Sequence, residues 1–131
     1  MATIKHNVHG FDIDHEGKDS RRHKKAGAHT AIISSPWKIA LIEDVERDHG
    51  IEELRDKYIR DVDIVLSEGH KKSPHPKIEV FRAEMNMELL CGGEENLIAI
   101  VSDRKQDVGA ACLDINDIEA VVDFVEERFL K

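Results

Sequence analysis

An acid standing directly behind an apolar run is the first feature of this chain whose position implies chemistry. The run Asp63-Ile-Val-Leu-Ser-Glu68-Gly69 reads as a buried parallel strand with Glu68 and Gly69 at its carboxyl tip. Open α/β sheets bind ligands at such tips. A Walker B carboxylate, which helps to hold Mg²⁺ on a nucleotide phosphate, occupies the same kind of position. A buried strand also ends in a charge simply where it meets water, so the motif alone leaves both readings open. A second apolar run, residues 97–101, ends in Ser102-Asp103. A carboxylate there can accept from the N–H edge of guanine or cap a turn.

The segment around residues 5–20 is the densest in reactive side chains. Lys5 and His6 stand at the end of a strand, and His6, His9 and His15 share a short stretch with Asp12 and Asp14. Imidazoles and carboxylates together suit a divalent metal, with His70 as a further donor; the alternative is a polar loop in an acidic protein. Neither an H-E-x-x-H motif nor a Cys/His zinc spacing occurs. Gly17-Lys18-Asp19-Ser20 approaches a phosphate-binding loop without matching G-x-x-x-x-G-K-[ST]. Asp12 stands where the first glycine belongs, and Asp19 stands where Ser or Thr belongs. A carboxylate at that point repels the phosphates such a loop collects. No nucleophile–base pair with a recognisable spacing points to an independent enzyme.

These residues need a frame, and the composition bounds it. The 131 residues carry 19 Lys and Arg against 27 Asp and Glu, a net charge of −8. Charged residues make up 35% of the chain, above the roughly 25% norm. The length suits a single α/β domain over residues 1–131. The acidic balance argues against nucleic-acid binding, which needs clustered cations. No apolar run approaches the roughly 20 residues of a membrane span, and MATIKHN lacks a signal-peptide core. Cys91 and Cys112 stand 21 positions apart, too few and too isolated for a disulfide framework. A cytoplasmic setting is expected.

The elements follow from periodicity and punctuation. Residues 2–6 end a strand, 7–18 form a loop, and 19–26 form a short basic helix stopped by Gly27. Residues 29–34 and 37–42, parted by Ser35-Pro36, pair as a hairpin or as adjacent strands. Ile51, Leu54, Tyr58 and Ile59 mark a helix over 51–60. Pro74 and Pro76 make residues 71–76 an extended connection. Residues 77–82 alternate Ile78, Val80 and Arg82 against Glu79 and Phe81, a strand with two unlike faces. The last helix is capped by Asn116, with Glu119 completing a capping box. Behind them Ile118, Val121, Val122, Val125 and Phe129 form its apolar stripe. Strands alternating with helices imply an α/β fold whose sheet is mostly parallel and flanked by helices, with one antiparallel pair.

Taken together, these blocks resemble the molybdopterin-guanine dinucleotide biosynthesis protein B family. The likeness runs through Ile4-Lys5-His6, Phe11-Asp12-Ile13-Asp14, Gly17-Lys18-Asp19-Ser20 and Lys25-Ala26-Gly27-Ala28. It continues through residues 37–41, Asp63 to Lys71, 77–82, 98–103 and 113–117, in family order over nearly the whole chain. The segments from Phe11 to Ser20 and from Asp63 to Lys71 carry most of the specificity. The resemblance implies a P-loop NTPase-like GTP-binding accessory protein of molybdenum cofactor biosynthesis, working with Mg²⁺. It implies a homodimer whose partner is the guanylyltransferase that attaches GMP to molybdopterin, with at most weak GTPase activity of its own. By position, Glu68 resembles the Walker B acid and, with Asp14, the metal ligands. Lys5, His6, Asp12, Asp14, Lys18, Asp19 and Ser20 resemble the polar segment facing the nucleotide, beside Glu68 and Gly69. Ser102 and Asp103 lie on the base side in this comparison.

One family feature is not found in the sequence. Family members place a strand, a P-loop and a helix, about thirty residues, ahead of the segment matching Ile4-Lys5-His6. The expectation is a P-loop NTPase-like domain without its first βα unit, whose apolar strands at 64–66 and 99–101 lose a neighbour. An open edge of apolar strands favours association with another chain. Three accounts stay open: a truncated start, a cradle supplied by another chain, or a nucleotide-free relative acting as a dimeric interaction module.

Overall fold

The computed structural model describes every residue except Asn86 and Met87. Its elements run in the order β1 (Ala2–Lys5), α1 (Asp19–Lys25), β2 (Thr30–Ser34), β3 (Ile39–Glu43), α2 (Ile51–Tyr58), β4 (Val65–Glu68), β5 (Lys77–Phe81), β6 (Leu97–Ser102), β7 (Ala111–Asp114) and α3 (Ile118–Phe129). They form two compact units. One is Lys5–Arg60, and the other joins Met1–Ile4 to Asp61–Lys131.

In the unit Lys5–Arg60, α1 carries Asp19 in its first turn and four basic residues in its last, the arrangement that complements the helix dipole. Gly27, at φ +100°, ends it. The N–H of Ala28 returns to the His23 carbonyl, and that of Gly27 returns to Lys24. This pair of bonds is a Schellman cap, which needs a left-handed residue where only glycine is unstrained. The chain then enters the β2–β3 hairpin, antiparallel from Thr30↔Glu43 to Ser34↔Ile39. The Ser35 hydroxyl closes its turn by accepting from the N–H groups of Trp37 and Lys38. That turn consumes Trp37 and Lys38, so β3 begins two residues later than the β-rich run suggested. Only Ala31 of the hairpin is buried, while Trp37 is 91% and Ile39 73% exposed. In α2, Glu53 accepts from the Gly50 N–H at 3.1 Å, the acidic half of a capping box. Lys57 and Tyr58, at the end of α2, both donate to Glu43 at 2.6 Å.

The other unit is built on a parallel sheet in the order β5-β6-β7. Phe81, Leu97 and Ile100 make its core, with Leu89, Cys91 and Ala110 packed against them. Two expectations are corrected here, on α3 and β4, while the two unlike faces read for β5 are present. On β5, Glu79 and Phe81 face inward, and Val80 is 59% exposed. The loop that follows supplies hydrogen bonds for the Glu79 carboxylate and thereby makes its burial tolerable. On α3 the N-cap is Asp117, whose side chain accepts from the Ala120 N–H at 3.0 Å; Asn116 instead bonds to Asp114. The strand β4 was expected to be buried, yet Val65 alone is partly covered and Leu66, Ser67 and Glu68 are exposed. Its sheet has two strands, β1 and β4, and a two-stranded ribbon covers little of its own surface. The strand β7 was not read from the sequence at all.

Candidate functional site

The loop at residues 7–18 is shaped by its turns before α1 begins. Asn7 accepts the N–H of His9 through its side chain and that of Gly10 through its carbonyl. Gly10 and Gly17 both take positive φ, and the N–H of Lys18 returns to the His15 carbonyl. Between these turns the chain carries Asp12 and Asp14 past α1. Arg21 donates to the Asp14 carbonyl at 2.8 Å and lies 3.6 Å from the Asp12 carboxylate. Lys24 bridges α1 to the base of the hairpin, donating to the carbonyls of Ala28 and His29 and pairing with Asp44 at 2.6 Å. Arg22 pairs with Asp19, and Lys25 with Glu16. Every Arg and Lys of this short helix therefore has an acidic partner within its own unit.

Two depressions result. One, of about 730 Å³, takes Arg21, Lys24 and Lys25 from α1, together with Phe11, Asp12, Ile13, Asp14, Ile42 and Val45. The other, of about 640 Å³, takes Asp19, Ser20 and His23 from α1, with His15, Lys18, Ile32 and Ser34. Asp14 lines both. Its Oδ2 and the Nε of Arg21 are buried without a hydrogen-bond partner.

The structure therefore gathers Asp12, Asp14, Lys18, Asp19 and Ser20 around α1. Lys5 and His6, at the end of β1, line neither depression, and His6 Nε2 meets Asp48 at 2.9 Å. The remaining candidates belong to the other unit. Glu68 ends β4 exposed, and Gly69 turns the chain at φ +93°. Ser102 is buried, its hydroxyl accepting from the Arg104 N–H. Both oxygens of Asp103 accept from the Ala83 N–H at 3.1 and 3.2 Å. The Asp103 carboxylate thus ties the residue after β6 to Ala83, beyond β5.

A metal centre of histidines and aspartates is not supported. Among the described residues no group of three or more His, Cys, Asp or Glu could hold an ion. The physical reason is competition: Asp48 engages His6 and Arg21 pairs with Asp12. Mg²⁺ on a nucleotide asks for less, since it keeps waters and takes one or two carboxylates beside phosphate oxygens.

Sequence reasoning missed Glu79. It is 8% exposed and accepts from the N–H groups of Leu90 and Cys91 at 2.6 and 2.9 Å. Burial and the neighbouring Glu79 and Glu94 push the Cys91 thiol above its usual pKa. Only the inward parity of Phe81, the larger apolar neighbour on the same face, could have signalled the buried carboxylate.

Comparison with known proteins adds a consistent set of likenesses. A family model described as molybdopterin guanine dinucleotide synthesis protein B matches residues 1–103. A molybdopterin-guanine dinucleotide biosynthesis adapter protein of Haemophilus influenzae is 33% identical over 127 residues, covering 96% of this chain and 71% of the relative. Its namesake in Escherichia coli is 35% identical over 139 residues, covering 99% and 77%. The crystal structure of Bacillus subtilis MobB aligns with a TM-score of 0.70 at 26% identity, covering 98% of this chain and 78% of that one. A further crystal structure, of a molybdopterin-guanine biosynthesis protein B, gives 0.73 at 23% identity over 96% and 78%.

Proposed function

Since the chain belongs to the molybdopterin guanine dinucleotide synthesis protein B family, and so to molybdenum cofactor biosynthesis, we propose that it acts as a GTP-binding adapter for the guanylyltransferase of that pathway. The observation that carries the reading is the second depression beside α1. There Lys18, His15 and His23 stand with the hydroxyls of Ser20 and Ser34. Lys18 and the two hydroxyls suit phosphate oxygens, to which charge-assisted hydrogen bonds are the strongest available, and a bound cation would have to offset the Asp14 and Asp19 carboxylates that line the same hollow. Mg²⁺, when bound, would neutralise phosphate charge, with Asp14 the carboxylate of this hollow that would hold it. The free thiols Cys91 and Cys112 agree with work in the cytoplasm, and among the described residues no helix is long and apolar enough to cross a membrane.

The adapter acts as a homodimer in this reading. The β2–β3 hairpin leaves Ile32, Trp37 and Ile39 exposed, and an antiparallel ribbon of this kind is a template for a second copy. Calorimetric titration with GTP, with and without Mg²⁺ and with ATP as control, tests the nucleotide reading. Selective, Mg²⁺-dependent heat supports it, and no heat at millimolar GTP removes it. Sedimentation velocity tests the dimer: Ile39→Asp shifts the chain to the monomer position if the hairpin is the interface.

A further inference from the structure

We propose that the outer side of α3 docks a basic amphipathic helix of a protein partner. The first observation is an apolar strip left uncovered. The helix packs on β7, and its Val121, Phe124 and Val125 are half-buried. Ile118, Val122 and Phe129 are 72%, 48% and 43% exposed, with Leu130 following at 45%. Spaced by four and seven positions, these three share one side of the helix, within an arc of about 40° at roughly 100° per residue. Single apolar residues at a surface need no explanation, whereas a continuous strip of them marks a place of interaction.

The second observation is the charge along the strip. Glu119, Asp123 and Glu126 succeed one another at i+4 and i+3 on the adjoining arc, and all three are exposed. Among the described residues none donates to their carboxylates, whereas Glu127 beside them pairs with Lys131 at 3.7 Å. Like charges at this spacing repel, so cations laid along the row relieve them.

The two observations together select the occupant. A second copy of this chain brings its own net charge of −8 against the strip, and an anionic lipid surface or a nucleic acid is repelled in the same way. A helix with aliphatic side chains at i, i+4 and i+7 and with Lys or Arg along one flank matches both the strip and the row. Such helices dock by a few apolar anchors, and the flanking charges fix their orientation and speed the encounter. The inference goes beyond the GTP-binding adapter reading and depends on neither nucleotide nor guanylyltransferase.

The test titrates the full chain into a labelled peptide of about sixteen residues, with Leu at helical spacing and Lys and Ala elsewhere. A scrambled peptide of the same composition and charge is the control, and fluorescence anisotropy at about 150 mM salt is the readout. Expected is saturable binding roughly tenfold tighter for the amphipathic order than for the scrambled one. Ile118→Ser with Val122→Ser, at exposed positions that do not threaten folding, weakens it roughly tenfold. Glu119→Gln, Asp123→Asn and Glu126→Gln together weaken it several-fold and flatten its salt dependence. Glu84→Gln, Glu95→Gln and Asp107→Asn, which remove as many exposed charges elsewhere in the same unit, leave it within about twofold. Equal binding of the scrambled peptide, equal weakening by the two charge triples, or indifference to Ile118→Ser with Val122→Ser overturns the proposal. Loss of self-association in that apolar double variant, read by sedimentation velocity, also overturns it and assigns the strip to a second copy. Because the assay contains no GTP and no guanylyltransferase, its failure leaves the adapter reading standing, and failure of that reading leaves this surface standing.

Discussion

A carboxylate as deeply covered as Glu79 survives because two backbone N–H groups replace its water. Glu79→Gln keeps the shape but exchanges charge-assisted bonds for neutral ones and turns an amide donor toward a donor. The expected loss is about 1–3 kcal/mol, read as a lower urea midpoint with an unchanged slope. Glu53 behaves differently because it lies at the surface. Its fork with Arg47 and its bond from Gly50 hold its carboxyl at about 2, against an ordinary 4.5. A depressed carboxyl stabilises the fold above its unfolded value, and that contribution disappears as pH falls toward the folded one. Carbon-detected NMR of the Glu53 carboxyl should titrate near 2 in the wild type and rise only part of the way to the ordinary range in Arg47→Ala, where the Gly50 N–H bond remains. Alternation along β5 made it legible that Glu79 and Phe81 share a face. Which face is covered was not legible, because the groups that satisfy Glu79 come from eleven and twelve residues further along.

Elements were easier to read where their signals are local. The α1 stop at Gly27, the hairpin around Ser35 and the helix from Ile51 all rest on residues within a turn of one another, and all three appear. The α3 cap was displaced by one position because Asn116 and Asp117 are both good caps, and Asn116 is held by Asp114 instead. Asp117→Ala should therefore cost about 1 kcal/mol and Asn116→Ala distinctly less, measured by thermal denaturation of the two variants side by side. The strand β7 escaped notice because Ala111-Cys-Leu-Asp114 is short and lacks β-branched residues; its strand character comes from parallel pairing with β6. The site was half legible for the same reason. Asp12, Asp14, Lys18, Asp19 and Ser20 are close in sequence and meet around α1, whereas the bonds that occupy Asp103 come from a residue twenty positions away.

At the scale of the molecule, charge is divided unevenly. The unit Lys5–Arg60 holds 11 basic and 11 acidic residues, whereas the other holds 8 and 16, and so carries the whole net charge of −8. A protein partner that docks on the acidic unit is steered by that field, and the steering is screened by salt. Association with the guanylyltransferase, measured by stopped flow, should slow several-fold between about 50 and about 500 mM salt if it docks there. Self-association through the apolar hairpin should hold or strengthen over the same range.

The contrast between the hairpin and the parallel sheet also sets an order of events in time. Strands β2 and β3 are joined by four residues and can close within microseconds. Strand β6 must wait for β5 and β7, each reached across a long connection whose entropy has to be lost first. A nascent chain thus displays its stickiest ribbon before the sheet that follows it is complete. In the proposed dimer, pairing of two copies at that ribbon would begin while the rest of each chain is still unfolded, so its assembly would belong to the folding pathway itself, with protein concentration one of the variables that set its rate.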